Sequence, residues 1–163
     1  MPIDTPYNQF STVIKPDWID YNGHLNVAFY HYVFDLSARP FFEWMGLTKQ
    51  MRQEHNFSTF ALETHLNYLS EVKVDATVRV ESRLLDVNEK RFHFYQEMFK
   101  TKSDTLAASH ESVGTFVDMG TRKTTAMPEH LLQKLKGIKS AHDQLERPWQ
   151  IGHVMAIDSR PAQ

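Results

Sequence analysis

The sequence of 163 residues holds no cysteine, which excludes disulfides, thiolate metal sites and cysteine nucleophiles and suits a reducing compartment. It has no excess of either charge: 18 Lys and Arg stand against 20 Asp and Glu, so neither a polyanion-binding surface nor an acidic tail is indicated, and nucleic acid is not an expected partner. No run of eighteen apolar residues occurs, and MPIDTPYNQF lacks the basic and apolar segments of a leader. The expectation is a soluble, cytoplasmic protein without a membrane partner. Its six glycines fall into no GxSxG elbow, phosphate-binding loop or dinucleotide fingerprint, which removes serine hydrolase, NTPase and Rossmann readings. Nine histidines invite a metal, yet there is no HExxH, and His24 and His31 are wrongly spaced to share one helix face; no metal site is expected. Repeats and low-complexity segments are absent too.

What is present centres on Asp17 to Gly46, DWIDYNGHLNVAFYHYVFDLSARPFFEWMG. Asp20, Tyr21, Asn22 and Gly23 read as a turn, since Asn and Gly tolerate left-handed backbone angles and Asp side chains bond nearby amides. Asn26 is placed to cap a helix that starts at Val27 and stops before Gly46. Aromatic and aliphatic groups lie on nearly every side of it, so something must wrap it; its length would be roughly 30 Å, with Pro40 expected to kink it.

Around this helix the periodicity is that of strands. Gln9 to Lys15 alternates enough for a first strand, ended by Pro16. Leu47 to Phe57 is a surface connection or short helix. From Thr59, Leu62, Thr64, Leu66, Tyr68 and Val72 share one face, and Glu63, His65, Asn67 and Glu71 the other. Three more strands follow, over Val74 to Leu84, Phe92 to Phe99 and Leu106 to Met119. Glu129 to Lys136 is amphipathic behind Pro128. The fold class is therefore α+β, with an antiparallel sheet curled round one long helix. Residues 1–136 form the domain, and residues 137–163 an arm too apolar at Trp149, Ile151, Val154, Met155 and Ile157 for an ordinary disordered tail.

WIDYNGHLN, followed by the aromatic helix and hairpin-linked strands, resembles the hotdog-fold acyl-CoA thioesterases of the 4-hydroxybenzoyl-CoA thioesterase type. Asp20, Gly23, His24, Leu25 and Asn26 match that family's pattern position by position. ETHLNYL (Glu63 to Leu69), NEKRFHF (Asn88 to Phe94) and FVDMGTRK (Phe116 to Lys123) further resemble a subgroup associated with carnitine breakdown, whose members act on betainyl-CoA. The resemblance implies a homodimer or homotetramer that hydrolyses an acyl-CoA with water and no bound cofactor.

The chemistry is open to a physical reading beside the resemblance. Free amides near Asn26 and Val27 at a helix N-terminus can hold a thioester oxyanion, each well-aimed donor contributing about 3 to 4 kcal/mol. Asp20 can attack the carbonyl or take a proton from water; standing alone, such an aspartate would more often only cap a turn. His24 orients a neighbour or is a structural hydrogen-bonded group. Glu63, His65 and Asn67 can approach from the polar strand face, across a dimer interface, or can be a solvated face. For a trimethylammonium head, Trp18, Tyr21, Tyr30, Tyr68 and Trp149 are the available aromatic partners, although any one of them can equally be core. Lys90 with Arg91, and Arg122 with Lys123, are candidates for the CoA phosphates. A hotdog dehydratase using His24 or His65, a thioesterase for another short-chain or aromatic acyl-CoA, and a non-catalytic acyl-CoA-binding dimer are the alternatives.

Overall fold

The computed structural model describes residues 3–157; the chain's first two residues and the last six of the expected arm lie outside the described residues. Helix α1 (Val27–Met45) is the axis. It is set by its two ends: Asn26 Oδ1 accepts from the Ala28 amide at 2.9 Å, and Gly46, at φ 107°, turns the chain out in a conformation that would strain a side-chain-bearing residue. Nineteen residues give about 28 Å of helix. Pro40 lies inside it, and the helix continues past it to Met45.

Five strands form one antiparallel sheet in the order β1-β3-β4-β5-β2, where β1 is Tyr7–Val13, β2 Phe57–Tyr68, β3 Thr77–Val87, β4 Arg91–Lys100 and β5 Thr105–Asp118. The inner face meets α1 in two halves. Tyr30, Val33 and Phe34 pack with Leu25, Val72, Val78, Val80 and Met98; Phe41 and Met45 pack with Leu84, Phe92, Phe94 and Phe116. Phe34 and Phe41 are wholly buried, and burying each stabilises by about 1.5 to 3 kcal/mol. A short helix α2 (Lys49–Glu54) links α1 to β2, within the segment expected to be a connection or short helix.

Three expected boundaries or faces shift. The first strand begins at Tyr7, because Tyr7 is core, packed on Phe41 and Trp44, while Lys15 is exposed. In β2 the expected alternation breaks at a register shift between Ala61 and Glu63: Leu62 is solvent-exposed and Asn67 is buried. A bulge of this kind moves side chains from one face to the other. Helix α3 spans Glu129–His142, past Lys136, because Leu131, Leu135, Ile138 and His142 continue one buried stripe while Gly137 faces open space.

After α3 the chain crosses to the outer face of the sheet. Arg83 donates to Glu146 O at 2.7 Å and to Glu97 Oε2 at 2.8 Å, and the Gly152 amide donates to Glu111 Oε2 at 2.8 Å. The arm buries Gln150 and Ile151, whereas Val154, Met155 and Ile157 are exposed. That cover explains why Phe92 through Met98 in β4 is buried on both faces, save a half-buried His93.

Candidate active site

The segment before α1 is a small closed loop. Ile19 and Leu25 form an antiparallel bridge, the Asp20 amide donates to His24 O at 3.1 Å, and the Gly23 amide donates to Asp20 O at 3.0 Å, with Gly23 at φ 75°. Leu25 N bonds Val72 O at 2.7 Å, and Asn26 N bonds Trp18 O at 2.9 Å. These contacts fix the loop against the chain that leaves β2. Asp20 Oδ1 accepts the Asn22 amide at 2.9 Å, so the aspartate does stabilise its turn; its other oxygen has no protein donor among the described residues.

The loop and the first turn of α1 border a groove of about 570 Å³, lined by Asp20, His24, Asn26, Val27, Tyr30, Tyr68 and Glu71, with Tyr21 at its edge. Asn26 closes the cap on Ala28, and its carbonyl accepts from Phe29 at 2.9 Å. The Val27 amide donates to no acceptor among the described residues, and Val27 is 57% exposed. It is the free positive end of the helix dipole. His24 Nδ1 donates to Leu25 O at 3.1 Å, a loop-holding bond that leaves Nε2 for the groove.

One wall is aromatic. Tyr30 and Tyr68 meet edge to face at 5.3 Å, and Tyr30 donates to Ser70 O at 3.2 Å. Burial raises both phenol pKa values, keeping the rings neutral. The charged lining is acidic: Asp20 and Glu71, the latter held below the usual carboxylate range by Lys73 at 3.0 Å. No lysine or arginine lines this groove, although Lys100 Nζ bonds Ser70 Oγ at 2.7 Å from behind.

The remaining sequence candidates are distributed. Trp18 is buried, stacked on Phe29 at 5.8 Å and edge-on to Tyr32, outside the groove lining. Glu63 and His65 sit on the outer sheet face, in a separate depression with His93, Glu111 and the arm residues Gly152 to Met155. Lys90 ends the β3–β4 turn and Arg91 opens β4, Arg122 and Lys123 lie in the turn after β5, and both pairs cluster at the end of the sheet opposite Asp20. Arg122 stands 5.0 Å over the Phe60 ring. Sequence reasoning missed a polar thread through the core, Ser37, Gln96 and His110. Its signal was three polar residues at inward positions of otherwise apolar elements. Among the described residues no group of three or more His, Cys, Asp or Glu is arranged to hold a metal ion, and no helix is long and apolar enough to cross a membrane.

A curled five-stranded sheet round one helix, with an aspartate loop at that helix's start, defines a hotdog thioesterase, and the sequence agrees: the chain belongs to the thioesterase-like superfamily, whose model matches residues 14–135. Within it, the chain is 32% identical to the betainyl-CoA thioesterase of Pseudomonas aeruginosa, over 91% of this chain and 93% of that one. It is 28% identical to the L-carnitine dehydrogenase/betainyl-CoA thioesterase of Rhizobium meliloti, over 88% of this chain but 29% of that longer protein. Among solved structures, a hypothetical protein of Staphylococcus aureus in complex with CoA superposes with a TM-score of 0.87 at 26% identity, covering 96% of this chain and 98% of that one. A putative thioesterase of Pseudomonas putida KT2440 gives 0.79, also at 26% identity, covering 98% and 99%.

Proposed function

We propose that this thioesterase hydrolyses betainyl-CoA to glycine betaine and CoA, as a cytoplasmic homo-oligomer. The observation that carries the reading is the groove's composition: an unpaired helix-start amide and a carboxylate beside two neutral tyrosine rings and a second carboxylate, with no lysine or arginine in the lining. A trimethylammonium group neither donates nor accepts a hydrogen bond; aromatic faces and nearby negative charge are what attract it, each ring contributing about 0.5 to 2 kcal/mol. The similarity to the Pseudomonas betainyl-CoA thioesterase supports the same substrate.

The chemistry follows from those atoms. Asp20 takes a proton from water as the water oxygen attacks the thioester carbon. The Val27 amide donates to the oxyanion as charge develops there. Collapse of the tetrahedral intermediate breaks the C–S bond, and Asp20 returns the proton to the leaving thiolate. Asn26 acts by holding that amide in position, and His24 by holding the loop.

The CoA phosphates fit the basic pairs Lys90–Arg91 and Arg122–Lys123. Within one protomer Arg122 stands over Phe60 and Arg91 lies level with it, eight residues of β2 or about 27 Å from Tyr68 at the Asp20 end. Strand β2 is a sheet edge with Phe60, Leu62 and Tyr68 exposed. An antiparallel β2–β2 pairing of two copies would cover that edge, and it is the dimer we propose as the working unit.

The test is thiol release from betainyl-CoA and from its uncharged isostere, tert-butylacetyl-CoA. A kcat/KM at least tenfold higher for betainyl-CoA is the expected result. Equal turnover of the two overturns the cation reading, and release from neither overturns hydrolysis of this acyl class.

A further inference from the structure

The C-terminal arm crosses the outer face of the sheet in one direction. Its fastenings follow the strand order β3-β4-β5-β2: the Glu146 carbonyl accepts from Arg83 on β3, and the Gly152 amide donates to Glu111 on β5. Gly152 to Met155 then border a depression together with Glu63 and His65 on β2. Strand β2 ends the sheet, so the arm is carried to an unpaired edge.

The arm changes character on the way. Gln150 and Ile151, between the two fastenings, are 4% and 7% exposed, whereas Met155 and Ile157, beyond the second, are 80% and 98% exposed. One exposed apolar side chain is ordinary on a protein surface. Here two close an anchored segment, and the edge they approach adds a third, Leu62 at 53%. The side that Leu62 takes follows from the ladder. A Cβ on Gly114 would run into the Phe92 ring of the core, so Ala61, its cross-strand partner, faces inward too. Leu62 is the next residue, the extra one of the bulge, and is turned to the outer side with Glu63.

We infer that the end of the arm crosses the β2 edge and packs on a second copy of this chain, Met155 and Ile157 of each against Leu62 of the other. The choice of occupant rests on geometry. Two twelve-residue strands paired antiparallel along their full length meet midpoint to midpoint, and the midpoint of β2 falls between Leu62 and Glu63. Glu63 of one copy then stands across from the partner's Leu62, and Glu63 is a residue that the arm borders. The twofold makes the contact reciprocal, one arm over each half of the seam. This clasp rests on the β2–β2 dimer proposed above and goes beyond it, because backbone pairing alone leaves the ends of the arms idle.

The chain has no cysteine, so introduced thiols report alone. Full-length Ile157→Cys and a tagged, heavier Leu62→Cys chain are mixed, left to exchange and treated with a short bis-maleimide; sedimentation gives the dimer dissociation constant of the wild type and of the double variant Met155→Glu, Ile157→Glu. The expected results are a wild-type dimer, a cross-linked product of the mixed mass, and a dissociation constant raised about tenfold or more in the double variant. A dimer that yields no mixed product, or whose dissociation constant the double variant leaves unchanged, overturns the clasp while the dimer stands. A wild type that stays monomeric at every concentration overturns the dimer, and the clasp with it.

Discussion

Asn26 Oδ1 accepts the Ala28 amide at 2.9 Å, so the cap of α1 is closed one residue beyond Val27 and the Val27 N–H stays without a protein acceptor. Cap and proposed oxyanion donor are thus neighbours on one turn. Asn26→Ala should cost about 1 kcal/mol of stability by the loss of that bond. It should also lower kcat more than it raises KM, because the amide it steadies matters most once the oxyanion has formed. Asn26→Asp, which keeps an acceptor at the cap, should restore the melting temperature. Thermal melts and steady-state kinetics on both variants check this.

Asp20→Asn should lower kcat by about 10² to 10⁴ with little change in melting temperature. An asparagine oxygen can still accept the Asn22 amide, so the turn survives while the base is lost. A single turnover of the wild type in 18O-water distinguishes the two roles open to the carboxylate. Label in the product and none in Asp20 is the result expected when water attacks the thioester carbon, whereas an unlabelled product with label left in Asp20 means that the carboxylate itself attacks. A fully active, folded Asp20→Asn would remove Asp20 from the mechanism.

Tyr68 meets Tyr30 edge to face on the groove wall. Tyr68→Leu keeps apolar bulk but loses the ring's negative face, so kcat/KM for betainyl-CoA should fall about tenfold while that for tert-butylacetyl-CoA changes less than threefold. Equal losses for the two substrates would show that Tyr68 acts by shape.

Acid should unfold the protein through two histidines held neutral. His142 Nδ1 accepts the Leu84 amide at 2.9 Å and Nε2 donates to Asp4 O at 2.8 Å, and burial lowers its pKa; His110 is lowered by burial to about 3. In both, the folded value lies below the unfolded one, so the unfolded chain binds the proton first. Stability is therefore unaffected well above pH 6.5 and declines as pH falls below it, for His110 down to about 3, by a total on the order of 5 kcal/mol from that residue. Urea midpoints between pH 7 and 4 should drop steeply in the wild type and more gently in His110→Phe. Parallel slopes would mean that His110 does not carry this linkage.

The helix and its ends were legible in the sequence because their cause is local: Asn26, Val27 and Gly46 specify cap, start and stop through bonds within a few residues. The existence of all five strands was legible for the same reason, period by period. What the alternation could not convey is which faces the arm covers. Tyr95 and Glu97 stand on the outer side of β4 and are buried there beside Arg83, which is itself held by Glu146 O some fifty positions later. The aspartate loop was readable as a motif, and its neighbours Tyr30 and Tyr68 as aromatics. Their meeting in one groove, the position of Glu63 and His65 on the opposite sheet face, and the bond of His110 to Gln96 all depend on pairings between residues distant in sequence.

The arm that runs from Glu146 to Gly152 bears on how a second copy of the chain would approach. By fastening to Arg83 and Glu111 it occupies the outer surface on which a second sheet would stack, while leaving the twelve-residue β2 rim bare. A second copy would therefore meet a free margin rather than a free plane, and would sit side by side with the first rather than layer on layer.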